Sequence, residues 1–68
     1  MTIKGEVDGV AWDAVIELPW ATIGWGKPAS HRMRLESKGK GHDLSMADAE
    51  KQVRKAVPQI LKDQGLLP

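Results

Sequence analysis

The chain has no cysteine, no phenylalanine and no tyrosine, and each absence narrows what it can be. Without cysteine there is no disulfide to staple a small fold, no thiolate to hold a metal and no thiol nucleophile. Three tryptophans are the whole aromatic complement of 68 residues, so the placement of each ring matters. No apolar run approaches the roughly 18 residues a membrane-spanning helix requires. The N-terminal MTIKGEVDG also lacks the apolar stretch of a secretory signal. Neither sign of charge dominates: ten Lys and Arg stand against nine Asp and Glu, a formal net charge of +1. That balance argues against binding nucleic acid by bulk electrostatics and against an acidic DNA mimic. There is no repeat, low-complexity tract or interdomain linker. Residues 1–68 are expected to form one small domain, a complete small gene product of cytoplasmic location. Such a chain buries only about 60% of the surface its unfolded state exposes.

What is present points first to a hairpin. In GEVDGVAWDA, Asp8-Gly9 separates two alternating runs, and a type I′ turn takes residues that tolerate positive φ at both positions. A two-residue turn there pairs Val7 with Val10, Gly5 with Trp12, Ile3 with Ala14 and Lys4 with Asp13. The register then places Ile3, Gly5, Val7, Val10, Trp12, Ala14, Ile16 and Leu18 on one face. Thr2, Lys4, Glu6, Ala11, Asp13, Val15 and Glu17 fall on the other, and a slip of one residue would scramble this separation. Trp12 opposite Gly5 lets a large ring cover bare backbone.

Pro19 ends the second strand, since proline donates nothing to a ladder. SHRMRLES, residues 30–37, alternates again and is expected to be a third strand beside the second. Its basic row, Arg32 and Arg34, would then neighbour Asp13 and Glu17, each opposite pair contributing about 0.2–1 kcal/mol. KGKGHD reads as a connector. LSMADAEKQVRKAVPQILKDQG is helical, with Ser45 as N-cap, Asp48 in the first turn and Gly65 at the C-terminal cap. Met46, Ala49, Val53, Ala56 or Val57, Ile60 and Leu61 recur at helical spacing. Pro58 costs roughly 3 kcal/mol in a helix interior, but the apolar phase continues past it, so a kink or restart is expected there. The expected fold is α+β: a three-stranded antiparallel sheet in β-β-β-α order, one C-terminal helix packed on one face.

Catalytic and metal constellations are not assembled by these residues. No hydroxyl among Thr2, Thr22, Ser30, Ser37 and Ser45 stands in a nucleophile elbow. His31 and His42, with Asp43, lack the helical spacing of a zinc pair and read as solvated polar residues. SKGKGHD lacks the spacing of a phosphate-binding loop. No enzyme activity, cofactor, metal or membrane partner is expected.

LPWATIGWGKP, residues 18–28, puts two of the three tryptophans among prolines and glycines, as if in a loop. One use is to fold back as a lid on a core short of rings; the other is to expose an anchor, since tryptophan is enriched at binding hot spots. The expectation is divided. Trp20, just after Pro19, packs at the sheet end, while Trp25, between Gly24 and Gly26, stands out. The favoured function is a non-catalytic protein-binding module, a small inhibitor or accessory factor that occupies a partner protein's surface. Its contacts would be Trp20, Ile23, Trp25 and Lys27, and in size and build it is like many phage and mobile-element proteins. The alternative is a nucleic-acid-binding domain using Arg32, Arg34, Lys38 and Lys40. Against it, Glu6, Asp13 and Glu17 share the arginines' face, and no aromatic is expected there for base stacking. A homodimer through an edge strand is also allowed.

Overall fold

A computed structural model describes residues 1–26, 30–37 and 43–67. Four strands precede one helix: β1 (Thr2–Val7), β2 (Val10–Glu17), β3 (Trp20–Gly24), β4 (Ser30–Arg34) and α1 (Met46–Asp63). The strands form an antiparallel meander in the order β1-β2-β3-β4, and the helix packs on one face.

The first hairpin has the expected register, with Val7 opposite Val10, Gly5 opposite Trp12 and Ile3 opposite Ala14. Asp8 (φ 48°) and Gly9 (φ 83°) both adopt the positive φ that a type I′ turn demands. The Trp12 ring lies on the bare Gly5 backbone, so closely that an ideal Cβ built at Gly5 would sit 2.6 Å from Trp12 Cζ2.

The three-strand expectation is corrected by β3. WATIG is a strand rather than loop, joined to β2 by the two residues Leu18 and Pro19, whose peptide bond is cis. Proline does end β2, but at a turn, where its missing N–H is harmless. Its carbonyl accepts from Leu35 N–H at 2.7 Å. Ser30–Arg34 therefore pairs with β3, not with β2, and the basic row is separated from Asp13 and Glu17 by a whole strand.

The helix keeps its sequence signals. Ser45 Oγ accepts from Asp48 N–H at 3.1 Å and donates to Asp48 Oδ2 at 3.0 Å. At the other end, Gly65 (φ 78°) allows a Schellman closure, in which Leu66 N–H donates to Leu61 O at 2.9 Å and Gly65 N–H to Lys62 O at 3.0 Å. The helix continues through Pro58, which lies on the exposed side. Ala49, Val53, Val57, Ile60 and Leu61 face the sheet, whereas Met46 in the first turn is exposed. They pack with Ile3, Trp12, Ala14, Ile16, Ala21, Ile23 and Leu35 into one core. Burying each large aliphatic there contributes about 1.5–3 kcal/mol.

Two polar clamps tie helix to sheet. Gln52 acts as a strand surrogate: its Oε1 accepts from Glu36 N–H at 2.9 Å and its Nε2 donates to Glu36 O at 2.6 Å. Arg54 holds Glu50 through Nε at 3.1 Å and donates through Nη1 to Lys4 O at 3.3 Å. Its guanidinium carbon also lies 5.5 Å from the centre of the Trp12 ring.

Candidate binding face

With the helix covering one face, strand alternation determines what the other presents. Registers across the sheet place Glu17, Trp20 and Arg34 in one row of that open face. Thr2, Val15, Thr22 and Arg32 form the next, and Lys4, Asp13, Gly24 and Ser30 a third. Trp20 thus stands half-buried on the open face, where no aromatic is expected from sequence. Arg32 stacks on it with its guanidinium carbon 4.1 Å from the ring centre, and Arg34 approaches to 5.8 Å. Cation–π attraction of this kind contributes about 0.5–1 kcal/mol at exposed sites.

Beside this stack lies a shallow groove of about 490 Å³ lined by Val15, Glu17, Leu18, Trp20, Thr22 and Arg32. Val15 and Leu18 are large hydrophobic side chains left 38% and 40% exposed. Charge is uneven across the face: Arg32 and Arg34 stand on the β4 side, Asp13 and Glu17 on β2, and Lys4 with Glu6 on β1 beyond, Lys4 directly opposite Asp13. Neither arginine makes an ion pair with a described residue, so the expected neutralisation of the basic row by these carboxylates does not occur.

The predicted site residues are not brought together as one loop. Trp20 and Thr22 face outward, but Ile23 points the other way and has no exposed surface, so it cannot touch a partner. Trp25, expected to stand out, is half-buried instead. One step beyond the Asp13–Gly24 pair, it falls opposite Trp12, partly buried and packed against the core. Both loop rings are thus half-buried, Trp20 on the open face and Trp25 beside Trp12 against the core. Trp20 joins Arg32 and Arg34, which the sequence assigned to the alternative function. Lys27, Lys38, Lys40 and His42 lie outside the described residues. His31 is half-buried, and among the described residues no group of three His, Asp or Glu could hold a metal. Ser45 is engaged in capping.

Val15 and Glu17 face outward as expected but were not read as site residues, and Leu18, expected on the core face, lies in the β2–β3 turn and lines the groove instead. The signal was available in WATIG, where Ala21 and Ile23 alternate with Trp20 and Thr22. A two-residue turn at Leu18-Pro19 would have aligned them with β2. No family model, curated protein or solved structure matches this chain. No helix among the described residues is long and apolar enough to cross a membrane.

Proposed function

We propose that the chain is a non-catalytic protein-binding module, an inhibitor or accessory factor that occupies a partner's surface with the open face of its sheet. The observation that carries this function is the half-exposed Trp20 ring, stacked by Arg32 and set beside exposed Val15 and Leu18. Trp and Arg dominate interface hot spots because they combine large contact area with directed polar groups. Stacking holds the ring in place before binding, which lowers the ordering cost of association. The mixed charge of the face, two arginines on β4 apart from the carboxylates of β2, suits a protein surface of complementary pattern and favours one docking orientation. A polyanion laid across the same face would meet Asp13 and Glu17.

Nucleic-acid binding is the second function, favoured by one observation: an aromatic ring flanked by two arginines without carboxylate partners is the platform on which single-stranded bases stack. One experiment separates the two. The immobilised chain is presented to extract of its source cells, with and without nuclease, as wild type, as Trp20→Ala and as Lys51→Ala on the exposed helix side. Protein binding predicts one stoichiometric protein that survives nuclease, is lost with Trp20→Ala and is kept with Lys51→Ala. Loss of all bound material on nuclease treatment instead establishes the second function.

A further inference from the structure

We infer that the outer edge of β4 takes up an extended acidic segment of a partner protein by strand addition. This rests on the protein-binding function proposed above and names the chemistry of its partner.

The sheet has two outer strands, and their edges are treated differently. At β1, Ile16 N–H donates to Met1 O at 2.7 Å and the Met1 ammonium donates to Ile16 O at 3.1 Å. Antiparallel alternation then turns the backbone groups of Thr2, Lys4 and Glu6 outward. Arg54 occupies the middle of that edge through its 3.3 Å bond to Lys4 O. At β4, Leu35 N–H to Pro19 O continues the β3–β4 register. The backbone N–H and C=O of Ser30, Arg32, Arg34 and Glu36 therefore point away from β3. Glu36 is satisfied in both directions by Gln52. Ser30, Arg32 and Arg34 are exposed, and no described residue hydrogen-bonds their outward groups. The helix thus caps this edge at Glu36, and among the described residues three alternate positions have no strand or side chain paired to them, as strand addition requires.

Charge identifies the occupant. A strand laid along β4 would set two of its alternate side chains directly opposite Arg32 and Arg34 on the open face, where Asp or Glu is favoured. The residue between them would fall beside Met33, which packs against the core on the helix side, and an apolar side chain fits there. The recognised pattern is acidic–apolar–acidic in extended backbone. A second copy of this chain does not fit: the register that pairs the whole of two β4 strands sets Arg32 against Arg32, a like-charge contact that disfavours self-pairing.

The test uses the whole chain, isotope-labelled, and a capped peptide of about eight residues alternating Glu and Val, long enough to span a typical strand. Three observations are expected. The amides of Arg32 and Arg34 slow in hydrogen exchange by at least about tenfold at saturation, since both become ladder donors. A peptide with Lys in place of Glu binds at least roughly tenfold more weakly. N-methylation of the peptide's edge-facing nitrogens abolishes binding while leaving the protein untouched. Strand addition is overturned if the peptide does not bind at about 1 mM, if the Lys peptide binds equally, or if binding leaves both arginine amides unprotected. The protein-binding function fails separately. Should a captured cell protein depend on Trp20 while the β4 amides stay unprotected in that complex, the face stands and the edge is refuted.

Discussion

Gly5→Ala adds one methyl group and, by the geometry of the first hairpin, should destabilise the domain. An ideal Cβ at Gly5 lies 2.6 Å from Trp12 Cζ2, 2.7 Å from Cε2 and 2.9 Å from Nε1. Carbon–carbon contacts relax at about 3.5–4.0 Å, so the ring must withdraw by roughly 1 Å. Trp12 is 5% exposed and belongs to the main core cluster, which leaves little room for it to move. Overpacking of this kind costs about 1–3 kcal/mol, while replacing glycine inside a strand returns roughly 0.5–1 kcal/mol. A net loss of about 1–2 kcal/mol is expected, a fall in Tm of roughly 5–15 °C for a domain of this size. Trp12→Phe removes the indole atoms that collide. It also removes Nε1, a buried donor with no hydrogen-bond partner among the described residues, whose desolvation costs about 1–3 kcal/mol. The two substitutions should therefore couple, the double variant being more stable than the sum of the single losses by about 1 kcal/mol. Urea and thermal unfolding followed by circular dichroism measure all four corners of the cycle. A Gly5→Ala protein as stable as wild type, or strictly additive losses, would refute the account of the ring on the glycine.

Other expectations follow from single contacts. Gly9→Val forces a β-branched residue into φ 83° and should cost well over about 1 kcal/mol; an unchanged Tm contradicts the turn. Ser45→Ala removes the cap at Asp48 N–H and should cost about 1 kcal/mol, read as a lower urea midpoint at unchanged slope. Gln52→Ala frees both backbone groups of Glu36, so the Glu36 amide should lose its hydrogen-exchange protection while the β1–β2 ladder keeps its own. Unaltered exchange at Glu36 would mean that Gln52 holds nothing there.

Legibility in the sequence followed the strength of the local signal. Asp8-Gly9 announces its turn chemically, and the alternation around it assigned every side chain of β1 and β2 to the correct face. Ser45 and Gly65 bounded the helix for the same reason: each does something at a helix end that few residues do well. β3 was missed because its signals point in opposing directions. Pro19 marks a strand end and also serves as a hairpin turn, and the inward residue Ala21 is too small to mark a core position. Gly24, Gly26 and Pro28 lend the stretch the composition of a loop. Everything misplaced in the site follows from that omission. Without β3, Trp20 and Trp25 have no register, and the arginines of β4 appear to face carboxylates they never meet. Arg32 and Arg34 were legible as an exposed row from alternation alone; their stacking on Trp20 required the missing strand. Gln52 and Arg54 gave no signal, since long polar side chains on a helix read as solvated until the sheet edge beneath them is known.

The central claim is that the open face around Trp20, and not the segment around Trp25, is the binding surface. Its most direct test is the affinity of the captured partner protein for Trp20→Ala and Trp25→Ala, with Tm recorded for each. The account predicts a loss near 2 kcal/mol, about 30-fold in Kd, for Trp20→Ala at nearly unchanged Tm. For Trp25→Ala it predicts a lowered Tm from lost packing against the core and little change in Kd once the protein is folded. A Trp20→Ala protein that binds as wild type does, while Trp25→Ala does not, would contradict it.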